Sequence, residues 1–85
     1  MKRSGKSKSD EVFLKGVGRR IGEVIVEKGY DSPYDFWIKK ADGQFSRQTL
    51  NYILTGRMDP KLTTLRAVAH LLKVDLTAFL TSSDD

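Results

Sequence analysis

The chain has no cysteine, only two prolines and a single histidine among its 85 residues. Without thiols it can form no disulfide and build no thiolate metal site. A lone histidine, His70, has no cysteine to share a metal with. Neither a metal nor any other cofactor is expected. No stretch approaches the ~20 consecutive apolar residues of a membrane span, so no membrane partner is expected. The first ten residues, MKRSGKSKSD, are basic. No apolar run follows them, so they do not read as a secretory signal, and a cytoplasmic location is expected. There is no G-x-S-x-G elbow, no phosphate-cradling loop and no pair of histidines. The carboxylates are scattered at helix ends, where capping accounts for them. An enzyme is not expected.

Charge is present, and it is unevenly spread. The formal net charge is +4. Residues 1–10 hold four basic and one acidic side chain, while residues 11–38 hold four basic and five acidic ones. Between residues 39 and 73 stand Lys39, Lys40, Arg47, Arg57, Lys61, Arg66 and Lys73, against only Asp42 and Asp59. Positive charge therefore gathers on the N-terminal arm and on the middle of the chain. That distribution favours a polyanion as partner, nucleic acid before membrane. No aromatic-rich strand pattern of the kind that stacks RNA bases is present.

Residues 1–10 lack any large hydrophobe and are expected to form a disordered basic arm. From Glu11, Leu14, Val17, Ile21, Val24 and Ile25 recur at helical spacing, and Gly29 is the expected stop. Gly16, Gly18 and Gly22 weaken this helix by roughly 1 kcal/mol each relative to alanine, unless close packing needs them. Ser32, Pro33 and Asp35 form a start signal for a short second helix ending near Ala41. Asp42-Gly43 is a turn. Ser46 caps a third helix, stapled by Phe45 and Leu50 and ended by Gly56. Its buried face is Leu50, Ile53 and Leu54. Thr63 or Thr64 is the expected cap of a fourth helix with the stripe Leu65, Val68, Ala69 and Leu72. A fifth helix is expected from Asp75, burying Leu76, Phe79 and Leu80. Tyr30, Phe36 and Trp37 read as core. The expected organisation is one all-α domain over 11–81, an arm at 1–10 and a loose end at 82–85.

The stretch SRQTLNYILTG, residues 46–56, resembles the third helix of the phage-repressor (Cro/Xre-type) helix-turn-helix family. DPKLTTLRAVAHLLKV is similar to that family's fourth helix and the loop before it, and DLTAFL to its closing helix. The resemblance runs from about Val17 to Leu80. It implies a five-helix lambda-repressor-like fold whose third helix enters the major groove. Arg47, Gln48, Asn51 and Tyr52 would then meet base edges. Arginine pairs with guanine O6 and N7, and glutamine with adenine N6 and N7. Ser32, Tyr34, Ser46, Thr55, Arg57 and Lys61 would contact phosphate. The implied protein is a bacterial or phage transcriptional regulator that binds double-stranded DNA as a homodimer. Phe79 and Leu80 are either the dimer interface or ordinary core. The chain departs from the pattern at Phe36-Trp37, where the family has Leu-Ala, and in a longer turn before the third helix. Leu54 replaces a common Glu, and Pro33 a common phosphate-binding Gln. An alternative is that the same fold binds a regulatory protein partner, through the Trp37 side, rather than DNA.

Overall fold

The computed structural model describes residues 8–80, which form five α-helices and contain no strand. The arm residues 1–7 and the end at 81–85 lie outside the described residues.

Helix α1, Lys8–Glu27, is the spine. It starts earlier than the apolar stripe suggests, taking Lys8, Ser9 and Asp10 from the expected arm. Asp10 and Glu11 lie in its first turn, where carboxylates complement the helix dipole. Its inner face is Leu14, Val17, Ile21, Val24 and Ile25, all buried. Gly29 ends it at a positive φ of 96°. The Gly29 N–H donates to the Val26 carbonyl at 2.9 Å, and the Tyr30 N–H to the Ile25 carbonyl at 3.3 Å. This double closure satisfies carbonyls that a helix end leaves unpaired.

Helix α2, Pro33–Phe36, is short. Ser32 Oγ accepts from the Asp35 N–H at 3.1 Å, as a cap should. The Asp35 carboxylate does not return that bond to Ser32. It accepts from the Asp31 N–H at 3.0 Å, one residue further out. Past Phe36 the chain does not continue as α-helix. Residues Trp37–Ala41 widen into a π turn. The wider turn brings Phe36 and Ala41, five residues apart, to the same interior, where both are fully buried. Trp37 is half-buried, and its indole N–H donates to the Phe45 carbonyl at 2.7 Å. That bond fastens the longer turn back onto the helix.

Helix α3, Arg47–Thr55, is capped by Ser46, whose Oγ accepts from the Thr49 N–H at 3.0 Å. Leu50 and Ile53 are buried, and Leu54 is half-buried against the core. Gly56 ends the helix at φ 74°.

Helix α4, Leu62–Leu72, carries the expected buried stripe of Leu65, Val68, Ala69 and Leu72. Its start differs from expectation. Lys61 occupies the cap position without a side-chain bond, so Thr63 and Thr64 fall inside the first turn. Beginning there lets the Leu65 N–H reach the Lys61 carbonyl at 3.1 Å, so Leu65 enters the helix already in phase with its stripe. Lys73 ends α4 in the left-handed conformation, φ 61°.

Helix α5, Thr77–Leu80, is a single turn opened by Asp75, whose Oδ1 accepts from the Thr77 N–H at 3.2 Å. Phe79 is buried at 1 % exposure, so it belongs to the core and not to a dimer interface. Leu80 is 39 % exposed, against the expectation that it is buried. One turn can aim only one of two adjacent residues inward. Arg20 Nε donates to the Ala78 carbonyl at 3.2 Å and ties α5 to α1.

The core is one continuous apolar cluster drawn from all five helices and the π turn, and no polar or charged residue is buried among the described residues.

Candidate nucleic-acid interface

Helix α3 is held on one side by direct backbone contact with α1. A Cβ on Gly18 would collide with the Leu54 carbonyl oxygen and stand 2.5 Å from that of Ile53. Only glycine permits so close a crossing. At Gly56 the reverse holds: a Cβ there would stand 2.6 Å from Lys15 Cγ. Lys15 is thereby laid against Gly56, at the C-terminal end of α3. No motif points to Lys15. Its place follows from a glycine 41 residues later in the chain.

The outward face of α3 presents Arg47, Gln48, Asn51 and Thr55, all exposed, with Tyr52 half-buried at its edge. No acidic residue lies on this helix. Two of the expected base-contacting side chains are held in place. Gln48 Nε2 donates to Tyr52 Oη at 2.8 Å, one turn along the helix. The Arg47 guanidinium lies over the Tyr34 ring, its carbon 5.2 Å from the centroid. Tyr34 in turn stacks on Trp37 at 6.1 Å and 26°. The π turn thus supplies the base of a three-part stack that ends in Arg47. Cation–π contacts of this kind are worth ~0.5–1 kcal/mol at exposed sites.

The expected phosphate contacts are less uniform. Arg57 and Lys61 are exposed beyond the end of α3. Thr55 is exposed, but its hydroxyl donates back to the Asn51 carbonyl at 2.9 Å. Ser46 Oγ is occupied by its capping bond, and its hydroxyl donates to Thr49 Oγ1 at 2.9 Å. Ser32 Oγ accepts from the Asp35 N–H, a bond that uses its lone pair and not its O–H donor. The carboxylate of Asp35 already stands at this helix end. Its pKa lies below the ordinary value because the Asp31 N–H, and then Lys39, stabilise the charged form. Lys39 pairs with it at 3.0 Å. Tyr34 is exposed and joins Arg47 rather than Ser32.

Between α2 and α3 lies an open cleft of about 760 Å³. Buried Leu50 and half-buried Leu54 form its floor, Pro33 and Tyr34 one wall, and Arg47, Gln48 and Asn51 its rim. No acidic residue lines it. Among the described residues no cluster of His, Cys, Asp or Glu has the grouping of a metal site. His70 is exposed on α4. No described helix is long and apolar enough to cross a membrane.

No protein-family model, no curated protein and no solved structure matches the chain significantly.

Proposed function

We propose that this chain is a sequence-specific DNA-binding protein of the helix-turn-helix kind, with α3 as the helix that enters the major groove. The observation that carries the reading is the outward face of α3. It joins a rigid inner side, locked against α1, to an outer side of Arg47, Gln48, Asn51 and Tyr52 that bears no acid. Groups that read base edges need both properties: reach into the groove and a fixed origin. Arg47 and Gln48 are partly immobilised before any partner arrives, which lowers the ordering cost of binding.

Arg57 and Lys61, joined by Lys15, supply cations beyond the C-terminal end of α3, where the backbone of a docked duplex would run. Tyr34, Ser32, Ser46 and Thr55 complete the proposed phosphate contacts. The hydroxyls of Ser46 and Thr55 already donate to internal partners, so they contribute less than the cations. A homodimer is proposed on mechanism: one short helix reads only a few base pairs, and a two-fold pair reads twice as many. The role proposed for such a protein is transcriptional regulation. The alternative of a protein partner on the Trp37 side has less support, because the Trp37 indole is spent on the Phe45 carbonyl and its ring on Tyr34.

The test is a set of single substitutions measured on a duplex selected from a random library and on its base-substituted versions. Arg47→Ala and Gln48→Ala each relax preference at one base position, by about 1–3 kcal/mol. Lys61→Ala weakens all sequences alike and lowers the salt slope by about one. Equal effects of all three on every sequence would remove the assignment of α3 as the reading helix.

A further inference from the structure

The two ends of α3 are held by different means. At the C-terminal end α1 presses on Ile53, Leu54 and Gly56. Arg47 and Gln48 open the helix more than a turn away, and Trp37, the only tryptophan in the chain, reaches what aims them. Its indole N–H donates to the Phe45 carbonyl at 2.7 Å. Phe45 immediately precedes the cap Ser46, so the bond fixes the peptide by which the chain enters α3. Its ring stacks on Tyr34 at 6.1 Å, and the Tyr34 ring carries the Arg47 guanidinium at 5.2 Å. Doing both takes an aromatic face with an N–H on its edge, which phenylalanine lacks. Trp37 itself does not line the cleft that faces the proposed duplex.

We propose that Trp37 is a positioning residue for base reading, an inference that rests on the DNA-binding reading above. It touches no base and sets where Arg47 and Gln48 stand. Two routes leave the indole. The backbone route, through Phe45 and Ser46, acts on Arg47 and Gln48 alike, because both ride on the first turn of α3. The ring route, through Tyr34, acts on Arg47 alone. Trp37 therefore couples two base positions that Tyr34 by itself does not. A tryptophan that only filled space would change stability and leave the ranking of bases as it was.

The experiment uses Trp37→Phe, which keeps a ring beside Tyr34 and deletes the donor. Wild type and variant are titrated with the selected duplex, its single-base versions and a scrambled duplex, read by fluorescence anisotropy. Preference should fall about threefold at both the Arg47 and the Gln48 base pairs, within the worth of one neutral hydrogen bond. Affinity for the scrambled duplex and the salt slope should not change, because no cation is touched. Tyr34→Leu should relax the Arg47 pair alone. A second readout needs no DNA. The Thr49 and Leu50 N–H groups are bonded to Ser46 at 3.0 and 3.2 Å. Their hydrogen exchange should quicken about threefold in Trp37→Phe, while Leu54 keeps its rate. If that variant does not fold, benzothienylalanine at position 37 keeps the two-ring shape without the N–H, and the same outcomes apply. A uniform loss over every base pair and the scrambled duplex overturns the proposal. So does exchange that quickens equally along α3, or not at all. A library from which no duplex is enriched removes the DNA-binding reading itself, and this proposal with it. An enriched duplex on which the variant keeps its full preference at either pair removes the proposal alone.

Discussion

The two flanks of α3 are built on opposite principles. Toward α1 the helices touch backbone to backbone at Gly18, with no room for one methyl group. Toward α2 they stand apart across a cleft of about 760 Å³. The first flank fixes where α3 is. The second leaves its side chains room to meet something else. The difference teaches that tight packing and open room can be assigned to separate sides of one nine-residue helix.

The largest effect should come from closing the tight flank. Gly18→Ala places a methyl against two carbonyl oxygens of α3 and should cost about 1–3 kcal/mol, the scale of overpacking. The control is two residues away. A Cβ on Gly16 meets nothing within 4 Å. Gly16→Ala should therefore stabilise, by up to about 1 kcal/mol of helix propensity. Urea midpoints of the two variants should move in opposite directions. If both moved the same way, the α1–α3 crossing would not be as described.

Next comes the open flank. Tyr34→Leu keeps apolar bulk but removes the aromatic face under Arg47. Preference at the Arg47 base pair should fall by ~0.5–1 kcal/mol, with the melting temperature nearly unchanged. On the other lane of the helix, Tyr52→Phe deletes only the hydroxyl that holds Gln48. Discrimination at the Gln48 base pair, and at any pair Tyr52 itself reads, should drop by about 0.5–1 kcal/mol, the net worth of one hydrogen bond, while the Arg47 position keeps its own. A uniform loss across all positions would instead make Tyr52 a phosphate contact.

The smallest effect concerns the Asp35–Lys39 pair at the start of α2. Folding lowers the Asp35 pKa, chiefly through the Asp31 N–H. A lowered carboxyl pKa contributes stability above its unfolded value, near 3.8, and loses it as pH falls through the folded value. Lys39 is raised by its bond to Asp35, so its share persists up to its unfolded value of 10.5 and fades above it as pH rises through the folded one. Asp35→Asn should lower the melting temperature slightly at neutral pH and make no difference in strong acid. Lys39 is well exposed, which keeps this contribution small.

Much of this architecture was legible from residue spacing. The stripes of α1 and α4 and the stops at Gly29 and Gly56 follow from local rules, because a helix buries every third or fourth residue and glycine accepts positive φ. The caps Ser32 and Ser46 were equally plain. The π turn was not, since nothing local in WIKKA forbids α-helix. It arises where Phe36 and Ala41 must both reach the core. The start of α4 at Lys61 was obscured by two threonines that resemble caps. At the site, exposure of Arg47, Gln48 and Asn51 was readable from the third helix itself, and the Gln48–Tyr52 bond has the spacing of one helical turn. The Arg47–Tyr34 contact and the placing of Lys15 depend on packing between distant segments. Spacing along the chain carries no signal for either.

The most direct test of the central claim is selection from a random duplex DNA library, repeated at low and moderate salt. The account predicts an enriched inverted repeat, with half-sites about one helical turn apart, whose enrichment survives the higher salt. Weak binding that vanishes with salt and enriches no motif would contradict it, leaving only an attraction of positive charge for a polyanion.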